Sequence, residues 1–124
     1  MNVAARRYAN AVVLQASGRL DQDTCDAFRA ELTGYVERCV HDKHSLILDL
    51  AGLEYVSSAG LRCLLIASRQ MKAANGRILV AEMQPMVAEI FSISHFDLMF
   101  DVVPTVREAL GRVSAEAVAA FGQG

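Results

Sequence analysis

Hydrophobic and polar positions change period several times along the 124-residue chain, and each change predicts an element. Residues 11–20, AVVLQASGRL, open on apolar and β-branched side chains and close near Gly18. Ala9-Asn10 just before them suits a turn after a short strand near 2–7, so an N-terminal hairpin is predicted. From Asp23 onward, Cys25, Phe28, Leu32, Tyr35, Val36, Cys39 and Val40 recur every three or four residues. Arg29, Glu31, Glu37 and Arg38 fall on other faces, which is the period of an amphipathic helix despite Gly34.

The run SLILDL at 45–50 is too short for a helix and reads as a buried strand. Leu61, Leu64, Leu65, Ser68 and Met71 then mark one helical face, with Arg62 and Arg69 on another, and Asn75-Gly76 supplies a left-handed stop. RILVAE at 77–82 predicts the next strand, and LMF at 98–100 a further one. Pro85 and Pro104 each suit the first turn of a helix, the first carrying Met86, Val87, Ile90 and Phe91, the second Val106, Leu110 and Val113. Strands alternating with helices imply parallel crossovers. The expected fold class is α/β: one domain over 1–124, with a mixed, mostly parallel sheet, an N-terminal hairpin and about four helices. Residues 113–124 are expected to extend the last helix and end in a frayed tail.

Composition narrows the partners. Twelve Lys and Arg against fourteen Asp and Glu leave a net charge of -2, with no broad basic field for nucleic acid. No run approaches ~18 consecutive apolar residues, and the apolar stretch after Arg6-Arg7 has no secretory cleavage site, so neither a membrane span nor export is expected. Cys25, Cys39 and Cys63 are odd in number and form no CxxC, which fits a reducing, cytoplasmic setting and argues against a disulfide framework or zinc site. Cys39, His41 and His44 are too loosely spaced for a closed metal site, and HDKH reads as a solvated loop. Phe91, Phe96, Met99 and Phe100 read as core, so no cofactor is assigned.

The candidate chemistry lies in YVSSAGLR at 55–62. A helix starting here needs its first N–H groups satisfied, and either serine suits that task. With Ser57 as N-cap, Gly60 is the third helical residue and can donate its N–H to the hydroxyl, while Val56 and Leu61 form a hydrophobic staple; with Ser58 as cap there is no staple. The pattern favours Ser57 as cap. Ser58 then projects from the helix start, beside the positive end of the helix dipole, where a dianionic substituent is tolerated. Asp21 and Asp23 suit a cap for the first helix, and Arg62 is either a solvated charge or a partner contact.

GRLDQDT at 18–24, LILDLAGLEYVSSAGLRCLL at 46–65 and FDVVPTVREAL at 100–110 resemble the STAS domain, specifically the bacterial anti-sigma factor antagonist family. In that family a strand ends in Asp, a short loop with an apolar pair follows, and a phosphorylatable serine precedes a Gly-Leu helix start. Asp49, Leu53, Val56, Ser58, Gly60 and Leu61 fill those places. The resemblance implies a binding protein rather than an enzyme, without cofactor or metal. Its partners would be an anti-sigma factor or related serine kinase with its own ATP site, which phosphorylates Ser58 and so releases the complex, and a PP2C-type phosphatase that reverses this. The partner-binding residues would be Asp21, Ser57, Ser58, Gly60 and Arg62. The sequence departs from the family pattern in having Ser57 where Asp is common and Ala59 where Thr or Ser is common.

Three other readings compete: a STAS adaptor that is not phosphorylated, a phosphoaspartate receiver and a serine hydrolase. VSSAG is half a nucleophile elbow, but it lacks the first glycine, no histidine follows His95 to complete the Ser, acid, His order, and no HGG-type oxyanion loop exists. Asp49 would be the receiver's acceptor. The only lysines, Lys43 and Lys72, lie outside the late strands, and Asp21 with Asp23 is a poor acidic pair. No P-loop is present, so any nucleotide belongs to the partner.

Overall fold

A computed structural model describes residues 1–123. The first strands, β1 (Asn2–Tyr8) and β2 (Ala11–Leu20), form the antiparallel hairpin, and the tight reversal between them places Ala9 at a left-handed φ of 55°. Helix α1 (Cys25–Asp42) leads to β3 (Ser45–Val56), α2 (Ser58–Ala73), β4 (Ile78–Ala81), α3 (Pro85–Ile93), a 3-10 turn at Phe96–Leu98, β5 (Asp101–Val103), α4 (Val106–Val113) and α5 (Ala115–Gln123). The sheet order is β1-β2-β3-β4-β5, antiparallel at the hairpin and parallel elsewhere, as the strand-helix alternation predicts. Among the described residues, no helix is long and apolar enough to cross a membrane.

Side chains on the two faces of the sheet enter separate cores, because successive strand residues point to opposite sides. Leu14, Leu46, Leu48 and Val80 pack with α1, α2 and α3 through Phe28, Leu32, Leu64, Met71 and Phe91. Ala11, Val13, Ile47, Leu79 and Val103 pack with α4 and α5 through Val106, Leu110 and Ala117. Ser58 therefore belongs to the three-helix side, and the last two helices seal the other.

Several boundaries differ from the sequence expectation. β3 does not stop near residue 50 but continues to Val56, paired with β2 out to Leu20 across two register shifts. LMF is not a strand: Phe96–Leu98 form the 3-10 turn, Leu98 is 80% exposed, and the fifth strand is Asp101–Val103. Pro104 precedes α4, whose N-cap is Thr105, with the Thr105 hydroxyl accepting from the Glu108 amide at 3.1 Å. The last helix is not extended: Ser114 breaks it, its hydroxyl accepting the Ala117 amide at 3.0 Å and so starting α5. Among the described residues there are five α-helices and a 3-10 turn, against an expectation of about four helices, and the end of the expected frayed tail, Gly124, lies outside the described residues. His41 and Asp42 form the last turn of α1 rather than a loop, and Lys43 takes the left-handed cap position. Met99 is 41% exposed, unlike the buried Phe91 and Phe100.

Candidate functional site

The site forms where β2 and β3 end side by side and α2 begins. The Ser57 amide donates to the Leu20 carbonyl at 2.8 Å, joining the turn before α2 to the end of β2. Ser57 itself is extended (φ -86°, ψ 172°), and its hydroxyl accepts the Gly60 amide at 3.2 Å while its carbonyl accepts the Leu61 amide at 2.9 Å. That is N-cap geometry. Val56 and Leu61 on either side of the cap are both buried in the three-helix core.

Ser58, the first residue of α2, is exposed, and no hydrogen bond among the described residues engages its hydroxyl. It stands on a ridge between two grooves. One, of about 330 Å³, runs between α1 and α2 and is lined by Cys25, Asp26, Arg29, Arg62 and Cys63. The other, also about 330 Å³, faces Ser94 and Phe96 and shares Ser58 and Arg62 with the first. The first turn of α2 holds no acidic side chain, so the helix dipole there is unopposed by its own residues. Arg62, one turn along, adds an exposed cation on the same side.

Asp21 lies one residue past Leu20, which places its loop beside the helix start. Its carboxylate accepts the Asp23 amide at 3.0 Å and the Thr24 amide at 3.2 Å, while the Thr24 hydroxyl donates to the Arg19 carbonyl at 2.8 Å. Asp21 shapes the loop before α1 in this way, whereas Thr24 occupies the N-cap position and makes no side-chain cap bond. Gly60 does not share the exposed surface. It is buried, and a Cβ there would come within 2.6 Å of Leu20 Cγ and 3.0 Å of Val56 Cγ2. Its part is to let α2 approach the strand end closely and to supply the N–H that Ser57 caps.

Asp49 is mid-strand rather than at a strand end, and its side chain opens on the opposite side of the sheet, in a groove with Arg6, Gln15, Glu82 and Phe121. Its carboxylate accepts the Ala51 amide at 3.0 Å and the Gln15 side-chain amide at 3.4 Å. Lys72, one of the two lysines, donates to the Met99 carbonyl at 2.9 Å. His95 sits at a left-handed residue before the 3-10 turn, and no hydrogen bond among the described residues joins a histidine to Ser58.

Arg29, Cys25, Cys63, Ser94 and Phe96 complete the surroundings of Ser58 and were not assigned to this site from sequence. The sequence periodicity set Arg29 apart from the apolar face that includes Cys25, yet the two line the same groove. That juxtaposition depends on the packing of α1 against α2.

The chain belongs to the STAS-domain family, whose model matches residues 2–109. It is 35% identical over 92 residues to the "Putative anti-sigma factor antagonist BtrV" of Bordetella bronchiseptica, with 74% of this chain and 76% of that one covered. The fold is similar to an anti-sigma factor antagonist from Mycobacterium paratuberculosis (TM-score 0.76, 23% identity, covering 90% and 92% of the two chains). It is also similar to the Bacillus cell fate determinant SpoIIAA in its phosphorylated form (TM-score 0.67, 21% identity, covering 90% and 99%).

Proposed function

We propose that this chain is an anti-sigma factor antagonist that works by partner switching in the cytoplasm. Unphosphorylated, it binds an anti-sigma factor that is also a serine kinase carrying its own ATP. Transfer of the γ-phosphoryl group to the Ser58 oxygen, with loss of the hydroxyl proton, releases the partner, and a PP2C-type phosphatase hydrolyses the ester to restore binding. The observation that carries this reading is the division between the serines: Ser57 is committed to the cap, and Ser58 is exposed with a free hydroxyl. The name of BtrV and the existence of a phosphorylated form of SpoIIAA support it.

Phosphate adds about -1.5 to -2 charges at the ridge, and burying that charge in an interface without matching cations is costly. A coupling of ~1–3 kcal/mol changes affinity ~5–150-fold, so the switch needs no refolding. Asp21, Ser57 and Arg62 frame the contact surface, and the chain's own activity is binding rather than catalysis.

Titration of the partner kinase tests this. The unphosphorylated chain should bind, and Ser58→Asp should bind more weakly, by less than true phosphate because it brings less charge. Binding without any phosphoryl transfer would favour the plain adaptor. Ester hydrolysis lost in Ser58→Ala would favour the hydrolase, and acetyl phosphate labelling lost in Asp49→Asn the receiver.

A further inference from the structure

The groove between α1 and α2 is lined by two cysteines besides Ser58. Cys63 is 7% exposed on α2, and its thiol reaches the Cys25 carbonyl at 3.9 Å; Cys25, the first residue of α1, is half-buried and lines the same groove. The Cys25 thiol in turn donates to the Gln22 carbonyl at 3.7 Å, just before the start of α1, so both thiols stand at the same end of the α1–α2 groove. All three cysteines are free, and Cys39 is buried near the other end of α1.

We propose that Cys25 and Cys63 form a reversible disulfide on exposure to hydrogen peroxide, a modification site in the wall of the groove beside Ser58. The proposal stands on the contact of the Cys63 thiol with the Cys25 backbone and on the groove that both residues line, and does not rest on the phosphorylation reading. Access decides the order of events. The Cys25 thiolate attacks the peroxide: an S–O bond forms, the O–O bond breaks, and hydroxide leaves and is protonated to water, giving a sulfenic acid. Burial and the neighbouring Cys25 push the Cys63 thiol up, so Cys63 serves as the resolving partner. Its sulfur, losing its proton, attacks the Cys25 sulfur; the S–S bond forms, the S–O bond breaks and a second water leaves. Two electrons pass from the thiol pair to the peroxide. Exchange with an external dithiol returns the electrons and protons. Such transient pairs are the kind found in reducing compartments, distinct from a structural framework.

The experiment treats the reduced full chain with hydrogen peroxide and reads intact mass, tryptic peptides and melting temperature. The chain should lose about 2 Da, the two hydrogens of a dithiol, and recover them with dithiothreitol. Trypsin should then release the peptide with Cys25 (residues 20–29) linked to that with Cys63 (residues 63–69), leaving Cys39 (residues 39–43) free to alkylate. The oxidised form should melt higher, because a tether between α1 and α2 restricts the unfolded chain. Cys25→Ser, at a half-buried position, should abolish the mass loss, and Cys39→Ala should leave it intact. A gain of about 32 Da at Cys25 with Cys63 still alkylated would overturn the proposal. So would a link to Cys39 or a disulfide between two chains.

Discussion

The Ser57 amide and the Leu20 carbonyl meet at 2.8 Å, and this one bond ties the end of β2 to the turn that starts α2. The Asp21 loop and the serine pair are thereby held as one surface, although 35 residues separate Asp21 from Ser57.

Gly60 is where α2 approaches Leu20 most closely. Gly60→Ala places a methyl within 2.6 Å of a fully buried leucine. Overpacking costs ~1–3 kcal/mol, and the better helix propensity of Ala returns ~1 kcal/mol, for a net loss of up to ~2 kcal/mol. Urea unfolding should show a lower midpoint at an unchanged slope.

The two serines should differ in kind when truncated. Ser57→Ala removes the acceptor of the Gly60 amide and should cost ~0.5–2 kcal/mol. Ser58→Ala removes an exposed hydroxyl and should move stability by no more than ~0.5 kcal/mol. Thermal melts on the pair of variants separate these outcomes.

Asp21 should split structure from charge. Asp21→Ala loses the acceptor for the Asp23 and Thr24 amides and should destabilise by ~1 kcal/mol. Asp21→Asn keeps an acceptor oxygen and should remain near wild-type stability. Its affinity for the partner kinase then reports on the charge alone, and an affinity equal to wild type would remove the Asp21 carboxylate's charge from the contact.

Much of this was legible in the sequence. The apolar, β-branched opening of 11–20 marked a strand and the apolar face of α1 carried its own period, and the Ser57 register was readable from Val56, Gly60 and Leu61. The second half of β3 was not, because Ala51-Gly52 looks like a loop. Gly52 is in fact opposite Ser17 at a register shift, where a Cβ would come within 2.6 Å of Ser17 Cβ. The fifth strand failed for a different reason. Three residues carry no period, and Asp101–Val103 is a strand only because β4 pairs with it. Leu98 read as strand and Met99 as core, yet in the turn that follows the left-handed His95 both are exposed. The groove beside Ser58 needed the packing of α1 on α2, a relation that no local pattern contains.

Burial makes Cys39 a reporter of alkaline stability. Desolvation, with the nearby Asp42 charge adding to it, pushes the folded thiol from 9.0 up to about 11. The unfolded chain therefore ionises first, so this contribution is complete below pH 9.0 and is lost as pH rises toward about 11. The fall should be at most about 3 kcal/mol, and Cys39→Ala should make it smaller. Urea midpoints measured across that window provide the check.

Intact mass and site mapping after incubation with the partner kinase and Mg-ATP test the assignment of the two serines most directly. The chain and Ser57→Ala should each gain one phosphoryl group, about 80 Da, mapped to Ser58, and Ser58→Ala should gain none. Modification of Ser58→Ala at Ser57, with Ser57→Ala left unmodified, would contradict the account.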